Sequence, residues 1–278
     1  MYCKNKQELA EQVNKYTEGI IVILAAEKEF SFADIQPILQ NAKVPSFGAF
    51  FPGIIANREI HYSGFLIQHF SMEGEVFSFN SKDLESLSFA SKKLDQGTGL
   101  ILLDGLADNN QDFLNRVFYE LGNDFRFIGS GAGSLDLVQK PCVFDKDGIY
   151  QDKAIVLLLK AKVAIGIQRG YQRVAGPIVA TETKDSKIFE LNWGNAFETY
   201  SKIVNEQSNS KITKDDFFNV SKGYPLGITR KGYEDIVRDP ISVKERGTLN
   251  CIDDIPENEA LYMLKGEPAR LIESAKVS

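Results

Sequence analysis

The sequence predicts an α+β fold, with mixed β-sheets from a duplicated β-α-β-hairpin unit plus a smaller C-terminal α+β domain. Two apolar runs about eighty residues apart, at 19–24 and 99–104, are each followed by a helical stretch. A second similarity joins residues 44–50 to residues 125–131. Two copies of one unit tend to pack about an approximate twofold axis. The seam between the copies is therefore a natural place for a ligand pocket.

The first copy is predicted to alternate helices and strands. The β-branched run at residues 19–26 is typical of a strand that is buried on both faces. Asp34 is placed to cap a short helix that ends at Leu39 and carries Pro37 in its first turn. The other predicted elements are a helix at 6–16, a strand at 44–51 and one or two strands within 59–70.

The second copy repeats this order with an insertion near residues 134–148. A helix at 110–121 has one apolar face, and Gly122 follows it where a left-handed C-terminal cap belongs. The strand at 154–160 is predicted to pair with residues 163–169. The remaining predicted elements are strands at 100–104, 125–129 and 142–144, then a turn at Asp147-Gly148.

The repeat ends near residue 170, and shorter elements follow. An amphipathic helix at 195–204 leads into a polar loop at 202–214, and a last helix opens at Glu267 with Pro268 in its first turn. Strands are predicted at residues 177–183, 187–191, 224–228, 233–238, 247–251 and 260–264. We expect two domains, residues 1–205 and 206–278.

The composition indicates a globular, soluble protein. A net charge of −6 argues against nucleic acid or an anionic membrane as the main partner. Cys3, Cys142 and Cys251 match no metal-site spacing and indicate reduced thiols, as in the cytoplasm. No apolar run approaches the ~20 residues of a spanning helix, and the polar N-terminus lacks a signal-peptide core. We therefore expect a cytoplasmic protein without membrane insertion.

The glycine-dense segment Gly129-Ser130-Gly131-Ala132-Gly133 is a candidate site for an anion. Its backbone N–H groups are able to face a carboxylate or a phosphate. Its spacing is not that of a nucleotide-binding loop. The alternative is that the glycines permit close packing of strands. The matching glycines in the first copy are Gly48 and Gly53, among phenylalanines. A site is therefore expected to be asymmetric, on the second copy's side of the seam.

Charged side chains supply further candidates. Asp104 ends a buried strand, where a carboxylate often faces a crevice, and a turn aspartate is the equal alternative. Arg169 belongs to an Arg/Tyr-rich segment that suits the binding of an anionic ligand. The alternative is that this segment is a solvated loop. Arg238 lies in a strand, and an inward-pointing arginine there needs a partner. His61 and His69 have no matching ligand cluster, so they are weak evidence for a metal.

The chain resembles the FIST family, which pairs FIST N and FIST C domains in sensory proteins. Each matching motif is loose alone, but together they follow the family's order over most of residues 20–275. The motifs are residues 103–106, 128–133, 154–157, 176–177, 179–181, 189–192 with Ala196 and Tyr200, 224–228, 237–238, 255–256 and 260–264. Two features depart from the family pattern. The glycine segment lacks the usual acidic residue, which Asp136 is placed to replace, and residues 206–278 look like the incomplete start of a FIST C domain.

The resemblance implies a ligand-binding sensory module of signal transduction and not an enzyme, with amino acids or similar small polar metabolites as ligands and a downstream signalling partner. No cofactor is expected. The alternatives are a haem- or metal-based gas sensor, an enzyme that acts at the glycine-rich segment with Asp104 as base, and a structural dimerisation module.

The expected mechanism places the ligand between several of these candidates. Backbone N–H groups of residues 129–133 hold its anionic end, and Arg238 or Arg169 neutralises that end. Tyr200 or Trp193 packs against the body of the ligand. Closure between domains then shifts the population toward a signalling state.

Overall fold

A computed structural model describes residues 1–208, 211–230 and 234–277. The chain divides into two compact units, residues 1–164 and 165–278. The sequence predicts a later domain boundary, after residue 205.

The first unit has an α+β composition. In chain order its elements are β1 (Tyr2–Cys3), α1 (Lys6–Lys15), β2 (Ile20–Ala26), α2 (Phe32–Gln40), β3 (Ser46–Phe51), β4 (Ile54–Ala56), β5 (Glu59–His61), β6 (Phe65–Phe70), β7 (Gly74–Asn80), β8 (Gly97–Asp104), α3 (Asn110–Leu121), β9 (Phe125–Ala132), β10 (Val143–Asp145), β11 (Ile149–Tyr150) and β12 (Lys153–Leu159). They form mixed sheets, as the sequence predicts.

The same order of elements occurs twice in this unit. β2 and β3 are parallel and joined by α2, and β8 and β9 are parallel and joined by α3. A two-stranded hairpin comes next in each copy, and the strand after it pairs antiparallel with the first strand of its copy. The two sheets have the strand orders β1-β6-β2-β3-β10-β11 and β7-β12-β8-β9.

The two sheets pack face to face, with helices on their outer faces. Alternation along β12 shows this arrangement, because successive side chains point to opposite faces of a strand. Ile155, Leu157 and Leu159 join a core with the six-stranded sheet, α1 and α2. Ala154, Val156 and Leu158 join the core beneath α3. Burial on both faces explains why β2 and β12 are almost continuously apolar.

The helix α2 begins differently from the prediction. Its N-cap is Ser31, and Asp34 is the third helical residue. The Asp34 carboxylate accepts hydrogen bonds from Ser31 N at 2.9 Å and Ser31 Oγ at 2.8 Å, and Lys6 Nζ lies 2.8 Å away. Led by the Lys6 contact, these interactions lower the pKa of Asp34 to about 2. The prediction of Asp34 as the cap is wrong, and Pro37 falls in the second turn.

The predicted partner of β12 is also wrong. Residues 161–171 are irregular, whereas β12 pairs with β7 on one edge and with β8 on the other. Both edges of β12 are therefore occupied, which leaves no edge for residues 163–169. β7 is not predicted by the sequence pattern.

The second unit is a largely antiparallel sheet with helices. Its elements are β13 (Gln172–Lys184), β14 (Lys187–Leu191), β15 (Gly194–Asn195), α4 (Ala196–Gln207), α5 (Phe217–Ser221), β16 (Leu226–Ile228), β17 (Ile236–Arg238), β18 (Pro240–Val243), β19 (Leu249–Cys251), β20 (Ala260–Lys265) and α6 (Pro268–Val277). The strand order is β17-β16-β20-β13-β14-β19-β18, with β15 against β14.

Most elements of this unit lie near their predicted positions. The helix α4 continues to Gln207 into the predicted polar loop, and residues 209–210 of that loop lie outside the described residues. So does Tyr233, which begins the predicted strand at 233–238. α5 and β18 are not predicted by the sequence pattern.

Two matching glycines mark the closest approach of the parallel strands. A Cβ atom at Gly48 would lie 1.8 Å from Ile23 O, and one at Gly129 would lie 2.2 Å from Ile101 O. Both contacts are with the backbone of the neighbouring strand, which cannot move without breaking the ladder.

We predict that Gly48→Ala and Gly129→Ala each lower the free energy of unfolding by at least about 2 kcal/mol, because the added methyl group forces the strands apart. Urea unfolding followed by far-UV circular dichroism measures this. Gly53→Ala is the control, because its nearest contact would be an ordinary 3.4 Å. It should cost less than about 1 kcal/mol. Equal costs for all three variants would contradict the close-approach argument.

Candidate functional site

A pocket of about 290 Å³ lies where the two copies of the first unit meet. We call it the seam pocket. Glu27 after β2, Phe50 in β3 and Gly133 after β9 contribute to its walls. Ligands of α/β sheets commonly bind outside the carboxyl ends of parallel strands, and these residues occupy that position.

A lysine and a serine of the second copy form one polar side of the seam pocket. Lys140 and Ser134 line it, and both contact the carboxylate of Asp136. Asp136 also accepts a hydrogen bond from Val138 N at 3.0 Å. The Lys140 ammonium, followed by the two hydrogen bonds, holds the pKa of Asp136 well below its usual range. The ammonium of Lys140 is thereby held beside the pocket.

The first copy supplies a carboxylate and aromatic walls. Glu27 Oε1 accepts a hydrogen bond from Leu135 N at 2.9 Å, and its other oxygen has no hydrogen bond from any residue in the described ranges. Phe30, Phe32 and Phe50 line the apolar part. The pocket thus presents opposite charges beside aromatic rings.

The glycine segment is mostly strand. β9 extends to Ala132, three residues beyond the predicted end, and pairs with β8 over its whole length. Gly129 and Gly131 allow close backbone approach, since a Cβ at Gly131 would lie 2.8 Å from Gly105 Cα. This geometry matches the close-packing alternative for these two glycines. Ser130 is exposed, and its hydroxyl donates to Gly131 O at 3.3 Å.

Gly133 is the predicted glycine that lines the seam pocket. Its N–H donates to Phe50 O at 3.0 Å, so this group joins the two copies and is not free for an anion. The groups near the glycine segment that are suited to an anion are therefore side chains, above all the Lys140 ammonium. Lys140 and Glu27 were not predicted as site residues, since each is a single charge in a polar stretch.

The carboxylate of Asp104 is buried and fully engaged. Its side chain accepts hydrogen bonds from Leu106 N at 3.1 Å, Asp152 N at 3.0 Å and Gln139 Nε2 at 2.7 Å. Asp104 is 1% exposed. Asp104 therefore fits the alternative interpretation, that of a turn aspartate. It also links the inserted segment of the second copy to the end of β8.

Gln139 extends this network toward the surface. Its amide also donates to Asp152 Oδ1 at 2.8 Å, and Asp152 Oδ2 lies 3.0 Å from Lys82 Nζ. By donating to both carboxylates, the Gln139 amide holds Asp104 and Asp152 close together although they carry like charges. No sequence motif signals this role of Gln139.

The remaining predicted residues belong to the second unit. Tyr200 is fully buried, and its hydroxyl donates to Tyr224 O at 2.7 Å, so its ring is not at a surface. Arg238 is 8% exposed and points inward, with Nε donating to Asp254 O at 2.8 Å. Trp193 is 78% exposed on a turn. Arg169 lines a separate pocket. The other predicted site residues, Gly129–Gly133 and Asp104, lie in the first unit.

Both histidines contact backbone carbonyls. His61 Nε2 lies 3.2 Å from Ala56 O, and His69 Nε2 lies 2.8 Å from Glu18 O. Their rings stack on Tyr2 and Tyr16. Within residues 1–208, 211–230 and 234–277, no group of three or more His, Cys, Asp or Glu side chains is arranged to hold a metal ion. None of the helices in those ranges has the length and apolar character needed to span a bilayer.

Two family matches cover nearly the whole chain. The FIST N domain matches residues 20–194, and the FIST C domain matches residues 196–278. The chain therefore belongs to the FIST family, whose domains are sensory domains in signal transduction. Comparisons with curated proteins and with solved structures gave no significant match.

We predict that Asp104→Asn destabilises the first unit by about 2–4 kcal/mol. The amide keeps one acceptor but turns a new donor toward the donors of Asp152 and Gln139. Hydrogen exchange of β8 peptides measures the loss of protection. Asp108→Asn, an exposed neighbour, should stay within about 0.5 kcal/mol of the wild type. Unchanged exchange in Asp104→Asn would refute the anchoring role.

We predict that Cys142 resists alkylation although it lines the seam pocket. Burial, followed by the negative charge of Asp104, raises the pKa of its thiol to about 12. At about pH 8 the reactive thiolate is then on the order of 10⁻⁴ of the total, against about a quarter for an ordinary thiol. Iodoacetamide should modify the Cys142 peptide at least about 100-fold faster in concentrated urea than in buffer, by mass spectrometry. Equal rates would contradict the prediction.

Proposed function

We propose that this FIST protein senses a small polar metabolite, such as an amino acid, through the seam pocket. The observation that carries the proposal is that the Lys140 ammonium and the Glu27 carboxylate line the same pocket, which also has aromatic walls. The Lys140 ammonium has three donors, of which two contact Asp136 and Ser134, so one remains for a ligand carboxylate. The second oxygen of Glu27 accepts from a positive group of the ligand. A neutral or singly charged ligand uses at most one of these two groups.

Each part of an amino acid has a complement in the pocket. The remaining N–H donor of Lys140 binds the carboxylate, and Ser134 donates or accepts a hydrogen bond beside it. The free oxygen of Glu27 accepts from the ammonium group. Phe30 and Phe32 cover the hydrocarbon side chain, which contributes about 25 cal/mol per Å² of apolar surface removed from water.

The inserted segment of the second copy is the proposed signalling element. Ser134 and Lys140 belong to it, and Gln139 ties it to Asp104 and Asp152. A ligand that contacts Lys140 and Glu27 at once favours the position of the segment in which the pocket is closed. A downstream signalling partner would then recognise that position.

We further propose that the protein binds its ligand without chemistry or a cofactor, in the cytoplasm. The Asp104 carboxylate, the candidate base, is buried and already accepts three hydrogen bonds, which supports a structural role for it. The three cysteines are unpaired, which supports a reducing compartment.

Isothermal titration of the full chain against the standard amino acids tests the proposal. Lys140→Gln and Glu27→Gln should each weaken binding by about tenfold or more, because each removes a charged hydrogen-bonding partner. Lys146→Gln removes the same charge from an exposed hairpin turn and should leave the affinity unchanged. The proposal fails if no amino acid binds, or if the two pocket variants bind as the wild type does.

A further inference from the structure

The second unit contains a cavity of its own, of about 270 Å³. Arg173 of β13, Val237 of β17 and Leu264 of β20 contribute to its walls, together with Arg169 and Tyr171 just before β13. It is smaller than the pockets that hold drug-sized molecules, so it suits a ligand of few atoms.

One side of the cavity is formed by an ion pair between Arg173 and Asp235. The guanidinium of Arg173 binds both carboxylate oxygens of Asp235 and donates to Thr229 Oγ1 at 2.9 Å. It also lies 3.9 Å from the ring centroid of Tyr262. Arg173 and Asp235 thus neutralise each other's charge, and among the Arg173 nitrogens only Nη1 has no partner in the described residues.

The other side holds groups whose capacity is not used. The Arg169 guanidinium donates through Nη1 to Asp235 O, and its Nε and Nη2 have no partner among the residues described. The Tyr171 hydroxyl likewise has no hydrogen bond within the described part of the chain. Burial, with the charge of Asp239, raises the pKa of Tyr171, so this hydroxyl keeps its proton.

Glu234 supplies an acceptor to the same cavity. Its Oε2 accepts from Arg169 N at 2.7 Å, and its Oε1 has no partner in the ranges the structure covers. The cavity therefore offers a guanidinium and a phenol as donors, one carboxylate oxygen as acceptor, and the apolar side chains of Val237 and Leu264.

We propose that this cavity is a second binding site, for a short organic acid that carries a hydroxyl or amino group next to its carboxylate. Arg169 and Tyr171 bind the carboxylate, and Glu234 accepts the hydrogen bond of the hydroxyl or amine. Val237 and Leu264 contact a short aliphatic part. All these residues lie in the second unit, so the proposal does not rest on the seam pocket.

Lactate is a suitable probe, because matched analogues remove one feature at a time. Propionate lacks the hydroxyl, lactamide lacks the negative charge, and alanine replaces the hydroxyl with an ammonium group. Amide chemical shifts of the ¹⁵N-labelled full chain report both the affinity and the location of each ligand.

We expect lactate to shift the amides of residues 169–173 and 234–237. Lactamide should bind at least about tenfold more weakly than lactate, and propionate a few-fold more weakly. Comparing alanine with lactate identifies which donor Glu234 prefers. The proposal is overturned if lactate and alanine both leave these amides unshifted, or if lactamide binds as well as lactate.

Variants test the assigned roles. Arg169→Gln should weaken lactate binding at least about tenfold, and Tyr171→Phe a few-fold. Lys187→Gln, which removes an exposed charge in the same unit, should not change it. Wild-type affinity in a folded Arg169→Gln variant would overturn the proposal. If that variant does not fold, the lactamide comparison and Tyr171→Phe decide the question on their own.

Discussion

The buried carboxylate of Asp104 determines the path of the chain around the candidate site. A charge in the protein interior is tolerated only when donors surround it, and here those donors come from three places along the sequence. Leu106 N is local, Gln139 Nε2 belongs to the segment inserted in the second copy, and Asp152 N lies directly before β12. The polar side of the seam pocket lies in that segment, so its position depends on this one carboxylate.

The two copies differ most in what their hairpins do. In the first copy β4 and β5 pair only with each other among the described strands. In the second copy β10 pairs with β3, which brings Val143 opposite Ala49 and Phe144 opposite Gly48. The second hairpin thereby extends the sheet of the first copy. The pairing of β10 with β3 places residues of both copies around one pocket and gives the pocket two chemically different sides.

The sequence predicted the elements whose signals are local. The helix Asn110–Leu121 has an apolar face and a glycine cap with φ of 63°, and both of its ends were predicted correctly. The partner of β12 was wrong because strand pairing depends on which edges remain free, and residues 154–160 carry no information about that. β7 alternates along Val76, Phe77, Ser78 and Phe79, but no tight turn marks it as a hairpin partner.

The candidate site was less predictable for a related reason. The glycines stood out in the sequence, yet two of them serve the contact between β8 and β9. Lys140 and Glu27 are ordinary charged residues until the fold brings them to one pocket. Tyr200 and Arg238 were plausible ligand contacts because an aromatic ring and a strand arginine suit that role. The structure uses both in the interior of the second unit.

Trp193 has a consequence for optical measurements on this protein. It is the single tryptophan of the chain, and its side chain is largely exposed on a turn where Asn192 and Trp193 have φ of 51° and 59°. The hydrogen bond from Trp193 N to Thr181 Oγ1 fixes that turn. The indole emission of the native protein therefore comes from a water-exposed ring, and unfolding changes its surroundings little. A molecule that covers this turn removes water from the ring, so the fluorescence spectrum reports contacts at one defined point on the second unit.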